Sequence, residues 1–129
     1  MSKLALKIEF GPHCMLGHGK VRLLELIEEH GSIAAAGRAM GMSYRRAWQL
    51  VDTLNHGFAT PLVETQLGGS GGGGASLTPF GREAVAHFRA MEHEAEQAIA
   101  RRMAALERHV APLPQGRMPA GPDEEEEEE

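Results

Sequence analysis

Residues 4–10, LALKIEF, alternate strictly: Leu4, Leu6, Ile8 and Phe10 fall on one face of an extended chain, and Ala5, Lys7 and Glu9 on the other. A period of two predicts a half-buried strand. Residues 11–19, GPHCMLGHG, break the pattern with a turn. From residue 20 to residue 30 the period becomes helical, with Val21, Leu23, Leu24, Leu26 and Ile27 on one face and Glu25, Glu28 and Glu29 outside it. Gly31 stands where a glycine ends a helix in the left-handed conformation. Two short amphipathic patterns then occupy residues 31–55. Ser32 and Ser43 precede them, each able to cap the free N–H groups of a new helix, and Gly41 between them permits a tight turn. Ala36, Met40, Met42, Ala47 and Leu50 fall where two steeply crossing helices bury side chains, and Gly37 is small where the second helix comes closest. These features predict a helix-turn-helix, whose second helix enters the DNA major groove in proteins that use the motif on DNA.

Beyond Asn55 the helical pattern stops at Gly57 and Pro61. A strand over residues 62–67, a glycine loop over 68–74 and a short return strand over 75–77 predict a hairpin directly behind the recognition helix, which is the wing of a winged helix. Thr78-Pro79 announces the next helix, a capping hydroxyl followed by proline at the first helical position. That helix is expected to run to about residue 110, roughly 45 Å at ~1.5 Å per residue. Val85, Phe88, Met91, Ala95, Ile99, Met103 and Leu106 recur along it at steps of three or four, continuing to Val110. So narrow a stripe resembles a coiled-coil seam, and one small domain cannot cover it. These seven residues are therefore the expected homodimer interface. Pro112, Pro114, Pro119 and Pro122 end regular structure ahead of the acidic run 123–129, so residues 111–129 are expected to be a disordered tail. The predicted fold is mainly α with a small β wing: a winged helix-turn-helix domain over residues 1–110, with a long C-terminal dimerisation helix at 78–110.

Charge changes this picture more than composition does. The 129 residues, 42% hydrophobic, suit one domain with tails. No apolar run approaches the ~20 residues that span a bilayer, and the N-terminus lacks the apolar core of a signal peptide. The lone Cys14 cannot form an intramolecular disulfide, so a cytoplasmic protein without membrane contact is expected. The net charge is −5, yet residues 123–129 supply seven of the 18 acidic groups, so the remainder carries two more basic than acidic side chains. Any basic DNA footprint is accordingly local.

On a helical wheel over residues 43–55, Ala47, Leu50, Val51 and Leu54 face the core. Arg45, Trp48, Gln49 and Asp52 lie opposite, flanked by Tyr44 and Arg46. Arginine can bond guanine O6 and N7 in bidentate fashion, and glutamine adenine N6 and N7. Tyr44 and Trp48 can pack on thymine methyls or bond a phosphate. The DNA-binding set expected from the sequence is Ser43, Tyr44, Arg45, Arg46, Trp48 and Gln49, with Gly69, Ser70 and Gly71 of the wing and Arg82 beyond it. Lys20 and Arg22 are further phosphate contacts. Two adjacent arginines on an exposed helix are commonly a solvated face, and it is the position at the start of the second helix, with a wing behind, that raises them above that.

Rival chemistries are weaker. His13, Cys14 and His18 lie within six positions and are suitable transition-metal ligands, so a metal-responsive regulator is an alternative, although turn and surface positions explain them as well. The wing loop satisfies G-x-G-x-x-G formally, but no βαβ unit surrounds it. No nucleophile motif supports an enzyme, and no cofactor or metal is expected. A protein-binding winged helix is the remaining alternative, and the acidic tail could meet an effector, a protein partner or the basic surface itself.

Several motifs together identify a relative: Gly31-Ser32-Ile33, Ser43-Tyr44 with Ala47-Trp48, Leu62-Val63-Glu64, the glycine-rich loop from Gly68 to Gly74, and Leu77-Thr78 with Gly81. In order and spacing the chain resembles, over about residues 4–110, the N-terminal DNA-binding domain of the ModE family of molybdate-responsive transcription regulators. The resemblance implies a lysR-like winged helix-turn-helix that dimerises through its long C-terminal helix and binds a palindromic operator. Members that sense molybdate carry C-terminal oxyanion-binding domains where this sequence has its proline-rich acidic tail, so molybdate sensing by this chain itself is not expected. Members used for comparison place a lysine among the wing glycines where Ser70 stands, which moves recognition toward Tyr44, Arg45, Arg46 and Gln49.

Overall fold

The structure, a computed structural model, describes residues 2–66 and 74–112. In chain order it comprises β1 (Lys7–Gly11), β2 (Cys14–Gly17), α1 (His18–His30), α2 (Ile33–Ala39), α3 (Tyr44–Gly57), β3 (Val63–Gln66), β4 (Gly74–Leu77) and α4 (Pro79–Glu107). The fold is mainly α, with two antiparallel two-stranded hairpins, β1–β2 and β3–β4. No helix among the described residues is long and apolar enough to cross a membrane.

Helix α1 is the centre of the core. Its Val21, Leu23, Leu24 and Ile27 are sealed from solvent by Ile33 and Ala36 of α2, Ala47, Val51 and Leu54 of α3, Leu77 of β4, and Phe88 of α4. Gly31 ends α1 at φ +71°, its N–H bonded to the Ile27 carbonyl at 2.8 Å. An L side chain would be strained there. The first hairpin differs from expectation. The strand begins at Lys7 rather than at residue 4, and residues 14–17, expected in a turn, pair back along it with Ile8 opposite Leu16 and Glu9 opposite Met15. Register slips between Glu9 and Gly11, a bulge that turns Phe10 out of the inward face. Phe10 meets the Phe58 ring edge-on instead, with centroids 5.8 Å apart.

Helix α4 starts as the sequence predicts, with Thr78 Oγ1 accepting from the Gly81 N–H at 2.9 Å, and ends at Glu107, short of residue 110. Its apolar stripe is not uniform. Phe88 is fully buried within the chain's own core, and Val85 and Met91 pack against that core. Ala95, Ile99 and Met103 are half-buried, and Leu106 is 72% exposed. The assignment of Phe88 to a dimer seam is therefore corrected: no surface of it is left for a second chain. A spacing of three and four registers an apolar face without registering what covers it.

A guanidinium fixes α4 to α1. Arg89 donates to both carboxylate oxygens of Glu25, each at 2.9 Å, and to Glu92 at 2.7 Å and His18 Nδ1 at 3.0 Å. These Arg89 hydrogen bonds hold the Glu25 carboxyl below the usual carboxylate range, against the opposing effect of burial. The backbone N–H of Ser2 reaches Glu107 at the far end of α4, at 3.3 Å.

Candidate nucleic-acid interface

Two capped helices and a turn between them build the candidate interface. Ser32 Oγ accepts from the Ala35 N–H and Ser43 Oγ from the Arg46 N–H, both at 3.0 Å, so each serine satisfies one of the orphan donors of a helix start. Gly41 takes φ +73° in the turn, and the Met42 N–H closes it on the Gly37 carbonyl at 3.0 Å. A Cβ on Gly37 would stand 2.9 Å from that of Ala47, so the two helices cross as closely there as the small residue allows.

That crossing decides what α3 shows to solvent. Ala47, Val51 and Leu54 turn into the core, and Tyr44, Arg45, Arg46, Trp48, Gln49 and Asp52 are exposed. Trp48 is no core anchor: it is 37% exposed and touches Tyr44 edge-on, with centroids 6.2 Å apart. Asp52 lies 3.3 Å from His56, one turn further on. Arg45 and Arg46 have no carboxylate partner among the described residues, unlike Arg22, Arg82 and Arg89. Ser43 is exposed, and its Oγ serves the cap only as an acceptor, a bond that does not use its own O–H donor.

The wing stands beside α3 because of a residue the sequence reading treated only as the end of a helix. Asn55 Oδ1 accepts from the Leu62 and Val63 N–H groups at 2.8 and 3.1 Å, while its Nδ2 donates to the Val63 carbonyl at 3.0 Å. An asparagine late in a helix, just before a glycine and a proline, was the available signal. We predict that Asn55→Ala costs about 2–3 kcal/mol, since it leaves two part-buried N–H groups without acceptors. Asn55→Asp, which keeps both acceptor bonds, should lose less in the same urea titration. Equal losses would mean that the carbonyl contact to Val63, and not the pair of accepted bonds, carries the tether.

From that anchor β3 and β4 pair in register, Val63 with Leu77, Glu64 with Ser76, Thr65 with Ala75 and Gln66 with Gly74. The expected wing contacts Gly69, Ser70 and Gly71 lie outside the described residues. A groove of about 280 Å³ runs between the wing strands, the start of α2 and the Tyr44–Trp48 pair. Arg82 is less free than expected. Its guanidinium meets Glu28 at 3.0 Å and the Leu77 carbonyl at 3.1 Å, while Glu28 also accepts from the Leu77 N–H at 2.9 Å. It therefore braces β4 and α4 against α1, with part of its surface still open. Lys20, expected to reach phosphate, is corrected: it is buried, with its Nζ 3.4 Å from the Met15 carbonyl, because the unforeseen strand β2 covers the first turn of α1.

The rival metal set does not converge. Cys14 is buried in β2, and His18 is held by Arg89 and Glu92. Among the described residues no three His, Cys, Asp or Glu side chains are grouped to share an ion.

This geometry has known counterparts. Residues 19–82 match the family described as bacterial regulatory helix-turn-helix protein, lysR family. The chain is 40% identical over 101 residues to the molybdenum transport protein ModE of Azotobacter vinelandii, covering 78% of this chain and 37% of that protein. It is 41% identical over 95 residues to the molybdenum-pterin-binding protein MopA of Rhodobacter capsulatus, covering 74% of this chain and 36% of that protein. It thus spans little more than a third of these relatives. Among solved structures, the DNA-binding domain of CbnR in complex with DNA aligns with a TM-score of 0.52 at 21% identity, covering 67% of this chain and 94% of that one, a likeness of fold. Residues 19–82 therefore belong to the lysR family of bacterial regulatory helix-turn-helix domains, within a chain similar to part of ModE-type proteins.

Proposed function

We infer that the chain is a sequence-specific transcription regulator that binds a palindromic DNA operator as a homodimer. The observation that carries the reading is the state of Arg45 and Arg46. They stand exposed on the first turn of a capped helix, free of the carboxylates that engage Arg22, Arg82 and Arg89, with Gln49 one turn beyond. Uncompensated guanidinium groups at that position suit guanine edges and phosphates. The half-buried Ile99 and Met103 and the exposed Leu106 on α4 support pairing with a second copy, which would place two reading heads on two half-sites. The seam then begins beyond Phe88.

Selection of bound duplexes from a random pool should enrich one inverted repeat. On that repeat Arg45→Ala or Arg46→Ala is expected to weaken binding by about 1–3 kcal/mol and relax preference at one position per half-site. Equal losses on the repeat and on random DNA would show that the arginines only neutralise phosphate. Light scattering at micromolar concentration should report two chains, and a monomer there would refute the paired arrangement.

A further inference from the structure

We propose that Tyr44 and Trp48 form an apolar ledge that reads the C5-methyl groups of thymine, making them specificity-determining residues alongside the arginines. The proposal rests on the DNA-reading function inferred above. The two rings are one helical turn apart, meet edge-to-face at 78°, and remain 59% and 37% exposed. They are the large hydrophobic side chains that α3 leaves open to solvent. They also separate two concavities, lining both the groove of about 280 Å³ toward the wing and a shallower hollow of about 450 Å³ shared with Arg45, Gln49 and Asp52.

Such a ledge needs an apolar ligand, and the floor of the major groove offers one apolar group, the thymine methyl. Stacking on a base face is not available, because bases in a duplex are already stacked. Placed beside Arg45 and Gln49, the rings would lie next to the bases that those side chains contact, so that one face of α3 reads both polar edges and methyls. An apolar protein segment is the competing occupant. Arg45 and Arg46 on the same turn, without a carboxylate partner among the described residues, favour DNA, since a protein ligand would have to bring carboxylates to match them.

Replacing thymine by deoxyuridine deletes the methyl and leaves every base-pairing and edge hydrogen bond in place. With the full chain and the sequence enriched from the random pool, we expect uridine at one or two positions per half-site to weaken binding about fourfold each, the worth of one buried methyl at ~0.8 kcal/mol. In Trp48→Ala or Tyr44→Ala protein that thymine–uridine difference should vanish at the matching position, whereas Arg45→Ala protein should bind more weakly but retain it. Should either alanine variant fail to fold, the wild-type comparison still decides, and Trp48→Leu replaces the truncation. Uridine tolerated at every position, or a difference that survives in both aromatic variants, overturns the proposal. A Tyr44→Phe loss of equal size on thymine and uridine DNA would assign Tyr44 to phosphate through its hydroxyl and remove it from the ledge. A pool that enriches no sequence would instead overturn the DNA-reading function beneath it and point to the protein occupant.

Discussion

Phe88→Ala is expected to lower the unfolding free energy by about 3–5 kcal/mol, the usual cost of emptying an aromatic site in a close-packed core. Phe88 is fully buried and is the deepest hold that α4 has on the core around α1. The Arg89–Glu25 ion pair next to it cannot replace that hold, because both groups are partly exposed and their attraction is screened by water. Against domain stabilities of about 5–15 kcal/mol, that loss is a large share of the total, and at the lower end of the range it would leave the variant partly unfolded at rest. Leu106→Ala is the informative contrast. Leu106 is exposed in the single chain, so truncating it should hardly change the packing of the domain and should act, if pairing occurs through α4, on the concentration dependence of the dimer. Urea titrations at several fixed protein concentrations separate the two effects, since the apparent stability of a dimer depends on concentration. A Phe88→Ala loss below about 1 kcal/mol would contradict its core position and return it to the seam.

The contrast between Phe88 and Leu106 shows which parts of this molecule were legible in its sequence. Features fixed by local chemistry could be read directly. Ser32, Ser43 and Thr78 announce helix starts through their own hydroxyls, and Gly31 and Gly41 announce left-handed turns through a missing Cβ. The helix-turn-helix and the wing followed from these with their order intact. Features fixed by a distant partner could not be read. Nothing near residues 14–17 says that they form a strand; Leu16 and Cys14 became inward residues because β1 pairs along them and the end of α3, at Gly57, lies against Cys14. The same unforeseen strand buried Lys20, whose position on the helix pattern alone suggested solvent. Asn55 was invisible as a tether for a related reason, because its acceptor serves amides seven and eight residues away.

The candidate site divides along the same line. The helical period correctly separated the inward Ala47, Val51 and Leu54 from the outward Arg45 and Gln49. It could not tell a free cation from an engaged one. Arg45 and Arg82 look alike as letters, yet among the described residues only Arg82 of the two is committed to a carboxylate, Glu28, which sits 54 residues earlier. Pairing of that kind determines how much positive charge remains for a phosphate or a guanine, and it leaves Arg82 with less to offer than the sequence implies.

Gly81→Ala is expected to destabilise the domain by about 3 kcal/mol, at the upper end of what overpacking costs. A Cβ on Gly81 would be driven into the carbonyl oxygen of Leu62, with the Leu62 carbonyl carbon 3.0 Å away and its Cα 3.3 Å away. The obstacle is backbone, so no side-chain rotation relieves it. Nor can that backbone retreat cheaply, because the same carbonyl accepts from the Thr78 N–H at 2.9 Å, the Leu62 side chain is fully buried, and Asn55 holds the Leu62 N–H at 2.8 Å. Relief must come from lifting the first turn of α4, which breaks the Thr78–Leu62 bond and loosens the junction where the wing, α3 and α4 meet. The variant should therefore lose DNA affinity as well as stability, although Gly81 itself need touch no nucleotide. Gly19→Ala provides the control. Gly19 lies in the first turn of α1, and an added Cβ there meets nothing within 4 Å. That change should be neutral or stabilising by at most ~1 kcal/mol, the difference in helix propensity. If both variants unfold at the same urea concentration as the parent, α4 does not dock on Leu62, just ahead of β3, as closely as this geometry requires, and the wing is held against the helices by Asn55 and by the Glu28 and Arg82 contacts to Leu77 instead.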